Sequence, residues 1–187
     1  MSRGVTPSQT VGPFYWGTLV STCCCDLAPP GVAGERIDLV LQLHDGNGAV
    51  VPDGVLEIWQ ANSHGRYNHP EDRRNLPLDA GFEGFGRAST DRDGCARFLT
   101  VRPGRVPWPA GGLQAAHVNV SVFARGLLNR LATRVYFDGD SALADDPVLA
   151  LVESGRRGSL IARRDERGTW RLPIHLGGPR ETVFFDV

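Results

Sequence analysis

Ala116-His117-Val118-Asn119-Val120-Ser121-Val122-Phe123-Ala124-Arg125 is the stretch on which the fold turns. Val118, Val120 and Val122 alternate with His117, Asn119 and Ser121, the two-residue period of a half-buried β-strand. Residues two apart on a strand share a face and lie about 6–7 Å apart along it. A His-x-His pair at that spacing can grip one metal ion. Here the second position is Asn119, whose neutral amide oxygen is a weak donor to iron or zinc. The stretch predicts a strand with the frame of a metal site but not its full donor set.

Working outward, similar short runs lie between turn signals. Ile37 to Leu43 places Ile37, Leu39, Leu41 and Leu43 on one face, and Asp45-Gly46-Asn47-Gly48 then turns the chain. Val55 to Gln60 is entered through Pro52-Asp53-Gly54, and Cys95 to Val101 follows Asp91-Arg92-Asp93-Gly94. Thr133 to Phe137 stops at Asp138-Gly139-Asp140, and Leu160 to Ala162, Thr169 to Leu176 and Thr182 to Val187 read as closing strands. The pattern predicts an all-β fold, a β-sandwich core with long loops, an N-terminal arm and one short helix. That helix is capped by Asp146, with Pro147 in its first turn and Val148, Leu151 and Val152 at helical spacing. Stretches 1–35 and 61–86 lack periodicity, and an aperiodic loop of the second kind is usually functional or interface-forming. With no repeat and no composition break, residues 1–187 are expected to form a single domain.

Composition excludes several classes. Lys+Arg 20 against Asp+Glu 21 leaves no global pull toward nucleic acid or anionic lipid. Hydrophobic residues make up 41%, yet no apolar run approaches the roughly 20 residues of a membrane span. The start, Met1 to Pro7, has no apolar segment of the signal-peptide kind, so a cytoplasmic location is expected. Cys23, Cys24, Cys25 and Cys95 have no C-x-x-C spacing and are expected to be reduced thiols, partly buried in a loop. His64 and His69, near Glu71 and Asp72, match no metal motif, and the four tryptophans read as core or interface aromatics. From these residues alone, a non-enzymatic β-sandwich module binding a partner or small ligand is equally open.

Three segments taken together carry a resemblance. They are Thr6-Pro7-Ser8-Gln9-Thr10-Val11-Gly12-Pro13-Phe14-Tyr15, then Leu56 to Asn62 with Gly65-Arg66-Tyr67, then His117 to Arg125 with Thr133 to Phe137. In this order, over nearly the whole chain, the sequence resembles the intradiol ring-cleavage dioxygenases. The resemblance implies a non-haem Fe(III) enzyme whose catalytic chain binds iron through two tyrosines and two histidines. Matched residue by residue, the first tyrosine is Tyr67 and the first histidine is His117. The second tyrosine, expected in a Pro-Gly-x-Tyr-Pro-Trp motif, is replaced by Val106 in Pro103-Gly104-Arg105-Val106-Pro107-Trp108. The second histidine is replaced by Asn119.

The resemblance extends to the iron-free α subunits of two-subunit members of the family. It rests on the Thr-Pro-Ser-Gln-Thr start, the run His117 to Gly126 and the end Glu181-Thr182-Val183-Phe184-Phe185-Asp186. It implies that Fe(III) is held by a homologous β partner, that αβ units form a hetero-oligomer, and that protocatechuate and O2 are the substrates. It further implies that residues 1–35 pack on the partner. Thr10, Gly12, Pro13 and Arg125 would then line the partner's pocket, with Phe14 or Tyr15 as an aromatic wall. A guanidinium at Arg125 suits a carboxylate-bearing catechol, which it can pair bidentately. On a straight strand Arg125 lies roughly 25 Å from His117, so one pocket can hardly contain both.

Overall fold

The alternating runs from Ile37 to Phe137 all form strands in the computed structural model, which describes Gly12 and residues 14–186. The strands are β1 (Arg36–His44), β2 (Val55–Trp59), β3 (Phe85–Ser89), β4 (Cys95–Val101), β5 (His117–Phe123), β6 (Leu131–Phe137), β7 (Ile161–Arg164) and β8 (Trp170–His175). They form one continuous sheet in the order β3-β2-β5-β6-β7-β8-β1-β4. The β1–β8 and β6–β7 pairs are parallel and the others antiparallel.

The sequence periodicity explains the core. Leu39, Leu41 and Leu43 of β1, Leu56 and Ile58 of β2, Phe98 of β4, Val118, Val120 and Val122 of β5 and Ile174 of β8 join one buried cluster. Each such side chain, once buried, contributes about 1.5–3 kcal/mol. A smaller cluster of Ala115, Tyr136, Leu149, Val152 and Leu160 forms elsewhere. The all-β expectation holds. The two halves of the sheet enclose a common core, but they are joined through β7 into one curled sheet, closer to a barrel than to two separate layers.

The two ends of that sheet, β3 and β4, are joined by the segment Cys24 to Leu27. Cys24 exchanges both backbone hydrogen bonds with Arg87 of β3, at 2.9 Å each. The Leu99 N–H of β4 donates to the Cys25 carbonyl, and the Leu27 N–H donates to the Leu99 carbonyl, both at 2.8 Å. Gly86 on β3 has no side chain because a Cβ there would press on Leu27 Cδ1 at 2.7 Å. This segment lies inside the stretch expected to be an aperiodic arm, and Leu27, Ala28 and Val32 belong to this chain's own core.

Several expectations are corrected. The α-helix of the described residues is α1 (Tyr15–Val20), in the expected arm. Asp146 does cap, accepting from the backbone N–H groups of Val148 and Leu149, but the element it caps is a 3₁₀ turn, Leu149–Leu151. Of the expected closing strand 182–187, the described residues 182–186 form one bridge, between Phe185 and Ala132. β3 was unforeseen, because Phe85-Gly86-Arg87-Ala88-Ser89 alternates small rather than large apolar residues. Cys23, Cys24 and Cys25 are exposed rather than partly buried. No helix among the described residues is long and apolar enough to cross a membrane.

Candidate functional site

The sheet register brings the predicted residues together. Asn119 pairs Trp59 of β2 on one side and Arg134 of β6 on the other, while His117 pairs Tyr136. Directly opposed residues on neighbouring strands share a face. Two loops cover this face, 61–84 carrying Tyr67 and 102–116 carrying Val106. Between them lies a cavity of about 940 Å³, lined by residues that include Trp59, Tyr67, Val106, Gln114, His117 and Arg134.

Asn62, buried at the root of the first loop, holds it in shape. Its Oδ1 accepts from the His64 and Arg66 N–H groups, and its Nδ2 donates to the Pro77 carbonyl and to Asp79 Oδ2. The Tyr67 N–H donates to Asp72 Oδ2, and Asp72 is paired with Arg74, which holds its carboxyl well below the usual range. The Tyr67 ring stacks on Trp59 at 5.7 Å. Burial raises the Tyr67 hydroxyl pKa, so it is a neutral phenol at pH 7.

His117 is 3% exposed. Its Nδ1 lies 2.8 Å from the Ala115 carbonyl, which can only accept, so Nδ1 carries the proton. Burial, reinforced by the nearby Arg134 guanidinium, lowers its pKa to about 4. The ring is therefore neutral at pH 7, with Nε2 left as an acceptor. Arg134 Nη1 donates to Gln114 Oε1 at 2.7 Å and to the Tyr136 hydroxyl at 3.3 Å. The Tyr136 hydroxyl in turn donates to Asp146 Oδ1, and the Ala115 N–H donates to Asp146 Oδ2. A buried Asp146 thus supports both the strand that carries His117 and the one that carries Arg134.

Tyr67, Val106 and His117 line this one cavity and Asn119 lies beside Tyr67, but their chemistry does not suit a ferric ion. Val106 has no donor atom. Asn119 turns its Nδ2 toward the Trp59 carbonyl and the Tyr67 hydroxyl, at 3.3 and 3.4 Å. That leaves one phenol and one imidazole as the evident donors. Among the described residues, no group of three or more His, Cys, Asp or Glu side chains could hold a metal, and His64 and His69 form no exception.

Arg125 lies elsewhere, in the turn after β5, and does not line this cavity. Its Nε pairs the Asp53 carboxylate, and the side chain is 69% exposed. Tyr15, buried at the start of α1, donates its hydroxyl to the Asp53 carbonyl. Burial and the Asp53 charge raise the Tyr15 pKa. Arg125, Asp53 and Gly126 border an open depression with Val50, Val51 and Pro52. Phe14, which precedes Tyr15 in the chain, is 86% exposed. Of the other expected pocket residues, Gly12 is described, with a positive φ of 72°, while Thr10 and Pro13 lie outside the described residues.

A family profile described as Dioxygenase matches residues 26–171. The chain belongs to the intradiol dioxygenase family. Members of this family generally depend on non-haem iron. This intradiol dioxygenase homologue is 42% identical to the protocatechuate 3,4-dioxygenase alpha chain of Burkholderia cepacia, over 97% of each chain. It is also 40% identical to the beta chain from the same organism, over 70% of this chain and 56% of that one. In fold it is similar to the dioxygenase domain of a carbohydrate-binding fusion protein from Streptomyces sp. SirexAA-E. That match has TM-score 0.59 and 21% identity over 91% of this chain and 95% of the other.

Asn62, Gln114, Arg134 and Asp146 were not singled out as site residues from the sequence. For Arg134 and Tyr136 a signal existed, since the alternation of Thr133 to Phe137 puts both on one face. Only the register across the 124–130 loop shows that this face is also that of His117.

Proposed function

We propose that this chain is the α subunit of a protocatechuate 3,4-dioxygenase. With a homologous iron-bearing β subunit it takes part in the O2-dependent cleavage of protocatechuate to 3-carboxy-cis,cis-muconate. Both oxygen atoms enter the product, one at each of the two hydroxyl-bearing carbons. The Fe(III) belongs to the partner, and this chain's residues bind, orient and enclose the substrate.

The observation that carries the reading is the frame around His117. Tyr67 and His117 stand where a metal would be bound, while Val106 and Asn119 face the same space without suitable donors. A chain of this family with that wall has no ring-cleaving centre of its own and needs a partner's. Arg125 supports the same reading, because it is exposed and outside the cavity, as a residue serving a neighbour's pocket would be. Thr10, Gly12 and Pro13 are proposed to border that pocket from the N-terminal side. The exposed Phe14 and Trp16 suit partner contact, whereas the later part of the 1–35 arm packs within this chain. Residues 1–187 are proposed to act as one domain, in the cytoplasm.

The test is co-production with the iron-bearing homologue, followed by separation of the chains. Stoichiometric iron, visible absorption from tyrosinate bound to iron, and ring cleavage are expected only in the assembly, with the iron traced to the partner. A coloured preparation of this chain alone with stoichiometric iron would overturn the proposal.

A further inference from the structure

The cavity beside His117 keeps the features of a ligand site without those of a metal site. Its volume, about 940 Å³, lies within the range of small-molecule pockets, roughly 300–1,000 Å³. One wall is flat and aromatic, the stacked Trp59 and Tyr67. Val106, Pro107 and Pro109 add apolar lining.

The polar lining includes His69, Glu71 and Arg73 from the 61–84 loop, but the two groups held by the sheet itself are His117 and Arg134. His117 is almost wholly buried, its Nδ1 is committed to the Ala115 carbonyl, and its Nε2 has no hydrogen-bond partner among the described residues. His117 lines the cavity, and an acceptor that opens there without a protein partner favours a ligand that donates to it. Arg134 is half-buried and donates only to the neutral Gln114 amide and Tyr136 hydroxyl. It stands in no ion pair among the described residues, although Asp72 and Arg74 nearby are matched to each other. Asp146 reaches Arg134 only through the Tyr136 hydroxyl, and a guanidinium partly removed from water with no direct carboxylate partner attracts one, which its planar fork can hold. The matching ligand is flat, carries one hydroxyl to donate to Nε2, and carries one carboxylate for Arg134.

We infer that this cavity binds a hydroxylated aromatic carboxylate and holds it without a metal. The inference does not depend on the proposed subunit role. It concerns side chains of this chain alone, and its test can be read with or without a partner.

Equilibrium dialysis with 4-hydroxybenzoate, which lacks the second hydroxyl that ring cleavage needs, measures the site. On the full chain alone, one bound molecule per chain is expected, with Trp59 fluorescence changing in parallel. Arg134→Gln should weaken binding by at least about 30-fold, and Arg134→Lys should recover part of the loss, as for a charge-assisted contact. Val106→Phe puts a ring into the cavity wall without removing either polar group and should weaken binding. Benzoate, which lacks the hydroxyl, and phenol, which lacks the carboxylate, should each bind at least about fivefold more weakly.

In the assembled complex, wild type should bind one more molecule per copy of this chain than Arg134→Gln does. No binding to a folded chain, or binding indifferent to both Arg134→Gln and Val106→Phe, overturns the inference. So does a complex whose stoichiometry the variants leave unchanged. Failure of the chain to assemble with any iron-bearing homologue would overturn the proposed function instead and leave the dialysis result standing.

Discussion

Replacing Arg125 with alanine tests the proposed role of this chain most directly. In the chain as described, Arg125 is 69% exposed and pairs Asp53 through Nε. An exposed pair of this kind contributes about 0–1 kcal/mol, so folding should hardly change. If the partner's surface closes over the depression, the same guanidinium becomes desolvated, and Nη1 and Nη2 can hold the substrate carboxylate while Nε stays on Asp53. A lost charge-assisted pair in such a site costs on the order of 2–4 kcal/mol, about 30- to 1000-fold in kcat/KM. Plain catechol has no carboxylate and should lose less than about threefold. Asp53→Asn removes a competing anion and should raise kcat/KM for protocatechuate by up to about fivefold, the equivalent of one exposed pair. The assay is steady-state O2 uptake by the reconstituted complex with both substrates. Equal losses on the two substrates for Arg125→Ala would refute the reasoning and make Arg125 a residue of the interface or the fold.

The packing around the cavity sets three further outcomes. Asp146→Ala removes the acceptor of the Ala115, Val148 and Leu149 N–H groups and of the Tyr136 hydroxyl; a loss of about 3–5 kcal/mol is expected in urea titration with an unchanged slope, and a loss below about 1 kcal/mol would contradict the hub. His117 binds its proton less readily folded than unfolded, its pKa lying at about 4, so its contribution is complete above the unfolded value of about 6.5 and is lost as pH falls toward 4, by up to about 3 kcal/mol. His117→Leu should flatten the stability profile between pH 6.5 and 4, although His175, whose pKa is also lowered, retains a share of the slope. Gly65 has φ 76°, and a Cβ there would overlap the Arg105 carbonyl oxygen. Gly65→Ala should therefore cost at least about 2 kcal/mol in thermal unfolding, and a neutral result would mean that the two loops over the cavity are not in contact.

The strands were legible because their burial is one-sided. Val118, Val120 and Val122 lie on the core face of β5 and leave Asn119 and Ser121 half-exposed, as the alternation requires. β3 was not legible, because its apolar positions Gly86 and Ala88 are small, Gly86 being crowded by Leu27 and Ile58. No local pattern records a demand imposed by a segment some sixty residues away. The convergence of Tyr67, Val106, His117 and Asn119 was foreseen through family resemblance, since spacing alone joins only His117 to Asn119. The supports of the site were not foreseen. Asn62 holds groups of its own loop, and Asp146 also reaches the distant Ala115 N–H and Tyr136 hydroxyl, contacts that leave no mark in side-chain periodicity. Asp146 was read as a helix cap, which is only part of its role.

The join made by Cys24 to Leu27 has a consequence for handling the protein. β3 and β4 end the sheet, and each would otherwise present a row of unpaired N–H and C=O groups to solvent. A fragment beginning at residue 28 would keep all eight strands and most of its core, yet both borders would be open to strands from other molecules. Its failure would show as self-association that grows with concentration, well before any loss of β-structure. Bulky alkylation of Cys24 or Cys25, both exposed on this segment, would probe the same weakness in the intact chain.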